Sequence, residues 1–273
     1  MSRSNFRSRV IHFSSIWLLS LTICFFHITL GAHAKDFTLQ KIPAVSTRIV
    51  GGVKTTISEY PYIVAVKVRG VQKCGGSIIG SRVVLTAAHC FEFTNISHHY
   101  SIQYGQTDME STMNVIQASG YKKHPNYHAP SFDYDVGLIY LTKAIPLGLQ
   151  AQLIQLATHS PTPGSRVSIA GWGSTQYGGR QSKILLALQV HTIPLNECSH
   201  LYRYKNKITP RMLCAGVQVD GQDSCEGDSG GPLVANGVQV GICSFGFECA
   251  HKDYPGVYVN VAAVRNWILL NKK

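Results

Sequence analysis

Asp223-Ser224-Cys225-Glu226-Gly227-Asp228-Ser229-Gly230-Gly231-Pro232 is the stretch around which the chain is organised. It is too rich in glycine for a helix or a central strand, and reads as a turn presenting one hydroxyl nucleophile, Ser229. Small residues on both sides leave backbone N–H groups uncovered, and those of Gly227 and Ser229 can converge on one oxyanion. A serine hydroxyl is a weak nucleophile at neutral pH. It needs a base, and the base needs an orienting group.

Two stretches supply them. Leu85-Thr86-Ala87-Ala88-His89-Cys90 sets His89 where a β-rich run gives way to small residues, and Asp133-Tyr134-Asp135-Val136-Gly137-Leu138-Ile139 sets Asp135 at the mouth of an apolar strand. An aspartate entering such a strand needs a hydrogen-bond partner, and His89 can be that partner. Asp135 would then hold one ring nitrogen of His89 while the other takes the Ser229 proton.

Outward from these stretches the chain reads as short β-rich runs: Tyr62–Val68, Ser77–Ile79, Val83–Thr86, Tyr100–Tyr104, Val136–Leu141, Ser165–Ala170, Leu185–Ile193, Val238–Ser244 and Gly256–Val259. Gly, Asn, Pro and Ser punctuate them at short spacings, the pattern of an all-β sandwich or barrel. Only the C-terminus has helical spacing, with Val261, Val264, Trp267 and Ile268 on one face. Gln150–Gly164, with prolines at 161 and 163, reads as the connection between two halves.

Arg3, Arg7 and Arg9 precede an apolar run, Ile16 to Leu30, and then Gly31-Ala32-His33-Ala34. Basic, apolar, small-x-small is the order of a secretory signal; the run is short for a membrane anchor and is interrupted by His27. Residues 1–34 are therefore expected to leave, and 35–48 read as a pro-segment ending in Arg48, before Ile49-Val50-Gly51-Gly52. Removing 1–48 takes away six basic residues and Asp36 and lowers the net charge from +11 to +6. The remaining charge is spread out, without a Lys/Arg block or basic-aromatic interleaving, so neither nucleic acid nor a membrane is an expected partner. Of 8 cysteines, Cys24 leaves with the signal. The other seven suit an oxidising compartment, with up to three bridges and one thiol left over, and their spacings are poor for zinc.

Taken together, these motifs resemble those of the trypsin-like (chymotrypsin-fold) serine peptidases. The resemblance runs from Ile49 to the C-terminus. It rests on Arg48-Ile-Val-Gly-Gly52, Thr86-Ala-Ala-His-Cys90, Asp135-Val-Gly-Leu-Ile139, Gly171-Trp-Gly173, Asp223 to Pro232, Ser244-Phe-Gly246 and Pro255-Gly-Val-Tyr258. It implies an all-β fold of two antiparallel six-stranded β-barrels with a C-terminal α-helix, a peptidase domain over 49–273, the first barrel about 49–155 and the second about 156–273. It implies catalytic His89, Asp135 and Ser229, an oxyanion hole from Gly227 and Ser229, and bridges Cys74–Cys90, Cys198–Cys214 and Cys225–Cys249. Asp223, six residues before Ser229, would floor a pocket for Arg or Lys, with Ser224, Ser244, Gly246 and Gly256 also binding substrate. Cleavage between Arg48 and Ile49 would free an amine to pair with Asp228 and switch the enzyme on.

The expected partners are Arg- or Lys-containing peptide and protein substrates, protein inhibitors and an activating protease, with the chain acting as a secreted monomer. No cofactor or metal is expected: the loop after Gly105 offers only Asp108 and Glu110 where calcium needs six or more oxygens. The rival reading is a weak or inactive homologue serving as a binding module. Departures from the family pattern are Cys243 in place of valine and Phe245 in place of tryptophan, the latter implying a smaller apolar shelf beside the pocket. Asn95-Ile96-Ser97 is a candidate glycosylation site.

Overall fold

The computed structural model describes residues 52–174, 179–216, 227–247 and 253–273. The strands are β1 (Val53–Lys54), β2 (Ile63–Val68), β3 (Val71–Gly80), β4 (Val83–Thr86), β5 (Tyr100–Tyr104), β6 (Val115–Lys123), β7 (Gly137–Leu141), β8 (Gln155–Leu156), β9 (Arg166–Gly171) and β10 (Leu186–Ile193). Helix α1 (Leu195–Leu201) precedes β11 (Met212–Gly216), β12 (Pro232–Ala235), β13 (Val238–Phe245) and β14 (Gly256–Asn260), and helix α2 (Val261–Asn271) ends the fold.

Two six-stranded antiparallel barrels result, as expected. The first closes in the order β2-β3-β4-β7-β6-β5, with Val64 opposite Tyr104 and Val68 opposite Tyr100 sealing β5 to β2. The second runs β10-β11-β14-β13-β12-β9 and closes through the β9–β10 pairing, Leu186 opposite Gly171 to His191 opposite Arg166. Strand β1 adds to the edge of β10, and β8 pairs in parallel with β13.

The burial patterns explain the strands. In β6, Ile116 and Ala118 are buried while Val115, Gln117 and Ser119 face out, the period-2 alternation of a sheet with one wet face. In β2, Ile63 to Val66 are all buried. Val64 and Val66 enter the first barrel's core. Ile63 and Ala65 point the other way, into a cluster with Ala170, Trp172, Leu185 and Ala187 of the second half. Strand β2 is thus apolar on both faces because it lies between two cores.

The barrels bring four sequence-distant points together. His89 opens a one-turn 3₁₀ helix (His89–Phe91) just after β4, and Asp135 lies just before β7. Ser229 lies in the loop before β12, and Ser244 near the end of β13.

Candidate active site

The Asp135 side chain is fully buried. Its Oδ1 accepts the His89 backbone N–H at 2.8 Å, and its Oδ2 pairs with His89 Nδ1 at 2.7 Å. The Ser244 hydroxyl donates to Oδ2 at 2.5 Å. A buried carboxylate is tolerable only when satisfied in this way, and three donors converging on it also fix the imidazole plane. With Nδ1 facing the carboxylate, the Nδ1–H tautomer is favoured and Nε2 is left as the acceptor. Ser244, expected to bind substrate, commits its hydroxyl to Asp135 and leaves only its backbone for a substrate.

The Cys74–Cys90 disulfide forms as expected, with a Cα–Cα distance of 6.3 Å. Cys90 Sγ sits 3.9 Å from His89 Nε2 and 3.7 Å from the Ser229 carbonyl oxygen, so histidine and serine flank the same sulfur. His89 lies between the two cysteines of this group, but both sulfurs are spent on the bridge, and no thiolate remains for a metal. Ser229 Oγ and His89 Nε2 are not directly hydrogen-bonded; such bonds often tighten only with substrate in place.

Backbone bonds lock the Ser229 turn. Gly75 N–H donates to the Ser229 carbonyl at 2.8 Å, Gly230 N–H to Cys243 at 2.7 Å and Gly231 N–H to Asp228 at 2.8 Å. No described group takes the N–H of Gly227 or Ser229, the pair expected to face an oxyanion. Gly230 adopts φ +83°, and a Cβ there would come within 2.7 Å of the Gly75 carbonyl and nearer still to the Thr86 hydroxyl. Only glycine lets this turn lie against the first barrel.

Asp228 is buried, and its Oδ1 accepts Gly173 N–H at 2.9 Å. The second expected bridge, Cys198–Cys214, also forms. Cys243 packs in the second barrel's core, as a small hydrophobe would. Gly246 is exposed at the end of β13, Gly256 is buried at the start of β14, and Asn95 is exposed before a 3₁₀ turn. Asp223, Ser224, Cys225, Cys249, Arg48 and Ile49 lie outside the described residues.

Sequence reasoning missed Phe132. Its ring stands edge-on to His89, centroids 5.7 Å apart, and 5.2 Å from Phe245. Phe245 alone makes a smaller shelf than tryptophan, but Phe132 adds a second ring to it. The visible signal was an aromatic residue three positions before Asp135.

A protein-family model described as Trypsin matches residues 49–268. Trypsin alpha-4 of Lucilia cuprina is 36% identical over 248 residues, covering 90% of this chain and 95% of that protein. Trypsin delta of Drosophila melanogaster is 38% identical over 234 residues, covering 84% and 90% respectively. Trypsin alpha of the same fly is 36% identical over 255 residues, covering 92% and 95%. None of the helices among the described residues is long and apolar enough to cross a membrane.

Proposed function

This chain belongs to the trypsin family of serine endopeptidases, and on that premise we propose that Ser229, His89 and Asp135 form its catalytic triad, acting after Arg or Lys. The observation that carries the reading is the Asp135 carboxylate, fully buried and bonded to both the backbone N–H and Nδ1 of His89.

Ser229 Oγ attacks the peptide carbonyl carbon as its proton passes to His89 Nε2. The oxygen becomes an oxyanion facing the N–H groups of Gly227 and Ser229. The C–N bond breaks as His89 gives that proton to the leaving amine. Water then attacks the ester, His89 again carrying the proton, and Ser229 recovers its hydroxyl. Asp135 remains a carboxylate throughout and steadies the imidazolium.

Asp223 is assigned to the pocket floor, where a cationic side chain neutralises it, with Ser224, Gly246 and Gly256 lining the way in. Residues 1–34 act as a secretory signal and 35–48 as a pro-segment. Cleavage after Arg48 frees the Ile49 amine, which pairs with Asp228 and orders the oxyanion turn. The substrates are peptides or proteins carrying Arg or Lys.

The test uses activated protein with arginyl and leucyl amides, and an organophosphate label on Ser229. Wild type should cleave the arginyl amide and take up the label. Asp223→Ser should lose about 3–5 kcal/mol of arginyl preference, roughly a hundred- to several thousandfold in kcat/KM. Retained preference for arginine in that variant would remove Asp223 from the pocket. A wild type that shows no hydrolysis and takes up no label would refute the triad.

A further inference from the structure

We propose that Asn95 carries an N-linked glycan that packs on Phe93 and Ile96 and screens the rim of the active site from folded proteins, while leaving it open to short peptides. This rests on the secretory reading above, because only a chain routed through that pathway meets the enzyme that transfers the sugar.

Asn95-Ile96-Ser97 is the one Asn-x-Ser/Thr triplet in the 273 residues, and its middle residue is not proline. The fold presents it as an acceptor must be presented. Asn95 is exposed, and no described group bonds its side-chain amide or the Ser97 hydroxyl. The loop beneath is pinned. The Thr94 hydroxyl accepts the Ile96 N–H at 3.2 Å, a local turn with Asn95 at its apex. Tyr100, buried at the start of β5, donates its hydroxyl to the Thr94 carbonyl at 2.8 Å, and Phe91 is buried where the loop begins. A bulky group on Asn95 leaves outward from an anchored turn and displaces nothing.

The transfer itself joins Asn95 Nδ2 to an oligosaccharide carried on a lipid pyrophosphate. The Nδ2–C1 bond forms as the C1–O bond breaks, the lipid pyrophosphate leaves, and Nδ2 gives one proton to the transferring enzyme. The surface around the acceptor suits the product. Phe93 is 52% exposed and Ile96 40%, one on either side of Asn95. Single apolar residues on a surface need no explanation, but these two flank one attachment point. Sugar rings carry hydroxyls at their edges and C–H groups on their faces. The first rings on Asn95 can lay those faces on Phe93 and Ile96, taking apolar surface out of water.

The covered patch borders the cleft. Phe93 follows Cys90 by three residues, and the Nζ of Lys73, the residue before Cys74, stands 5.7 Å from the centre of its ring. Lys73 and Phe93 thus flank the Cys74–Cys90 bridge, whose Cys90 Sγ lies 3.9 Å from His89 Nε2 and 3.7 Å from the Ser229 carbonyl oxygen. Gln72, on the far side of Lys73, donates to the Gly227 carbonyl at 3.5 Å. A glycan rooted here stands over the rim of the site. A short amide ends inside the cleft and never meets it. A folded inhibitor or substrate lays on the order of 800 Å² of its own surface against the enzyme and has to push the sugar aside.

The test produces the full-length chain in cultured insect cells as wild type, Asn95→Gln and Ser97→Ala, each then activated and normalised to titrated active sites. Digestion with a peptide N-glycanase should remove one glycan's mass from wild type and nothing from either variant. All forms should agree within about threefold in kcat/KM on an arginyl amide. A Kunitz-type protein inhibitor should associate about tenfold faster with both variants, and with deglycosylated wild type, than with intact wild type. Ser97→Ala keeps the Asn95 side chain and covers an Asn95→Gln protein that fails to fold. Secreted wild type that loses no mass to the glycanase would overturn the glycan alone. Glycosylated wild type that takes the inhibitor as fast as the variants, or gains as much on the small amide as on the inhibitor when deglycosylated, would overturn the screen. Wild type retained in the cells with residues 1–34 attached would overturn the secretory reading and the glycan with it.

Discussion

Gly173→Ala is the sharpest probe of how the Ser229 turn is held. A Cβ on Gly173 would stand 2.7 Å from Asp228 Oδ1 and nearer still to Oδ2 and Cγ, whereas real Cβ contacts essentially never fall below 3.0 Å. The carboxylate cannot simply step aside. It is buried, and the backbone of Gly171 hems it in from another side. Moving it breaks the 2.9 Å bond from Gly173 N–H. Losing a hydrogen bond to a charged group costs about 1.5–3 kcal/mol, and overpacking a tight site about 1–3 kcal/mol more. Asp228 directly precedes Ser229, so this cost falls on the turn. Together they come to about 2.5–6 kcal/mol, roughly seventyfold to some ten-thousandfold in kcat/KM on an arginyl amide. The assay pairs that constant with a thermal melt. Gly148→Ala serves as control, since nothing lies within 4 Å of its added Cβ. A folded Gly173→Ala enzyme with kcat/KM within about threefold of wild type would refute the reasoning.

Ser244→Ala removes the 2.5 Å bond to a fully buried carboxylate and should lower kcat about ten- to a hundredfold with KM little changed; an unchanged kcat would show that the bond does not orient His89. Arg48→Gln should keep the uncut chain inactive until it is cut by another route, and full activity of the uncut variant on an arginyl amide would rule out the proposed switch. Burial holds His124 below the ordinary imidazole range, the Asp133 charge opposing only in part, and its Nδ1 accepts Asn126 N–H at 3.1 Å, which needs the neutral ring. The unfolded chain therefore binds the proton more readily, so this contribution to stability is complete above about pH 6.5 and falls as pH drops below it. His124→Gln should narrow the melting-temperature gap between pH 8 and pH 5, and an equal gap in both proteins would show that His124 is not the group responsible.

The strands that could be read in advance are those whose side chains carry the evidence themselves. Val83–Thr86 and Tyr100–Tyr104 are β-branched or aromatic runs, and they form β4 and β5 at those bounds. Strand β6 escaped because its outward half, with Gln117, Ser119, Lys122 and Lys123, reads as loop. Strand β12 begins on Pro232, which argues against a strand taken alone, and α1 is only 7 residues long and is preceded by Pro194, with no side-chain cap. Strand β3 runs back to Val71 through Gly75 and Gly76, residues that look like a break until the Ser229 turn is laid against them. In the site, His89 and Asp135 were legible from their local settings. The Ser244 bond to Asp135 spans 109 positions and the Arg211 bond to Asp133 spans 78. Such contacts depend on how one barrel meets the other, and no local pattern carries that information.

Helix α2 sets an order of assembly. Val261, Val264 and Ile268 are buried in the same cluster as Val64, Leu85 and Leu138, so the last helix made completes the core of the barrel made first. Asn271 adds to the seam, accepting from the Tyr140 hydroxyl at 2.8 Å and from Lys122 Nζ at 2.6 Å. Chains are synthesised from the N-terminus at roughly 5–20 residues per second, and early domains generally fold as they emerge. Here the early barrel must wait with an open apolar end until α2 has been made. The first barrel therefore stays unfinished until α2 has emerged, and a chain that stops short of α2 leaves the His89 and Asp135 barrel without its plug.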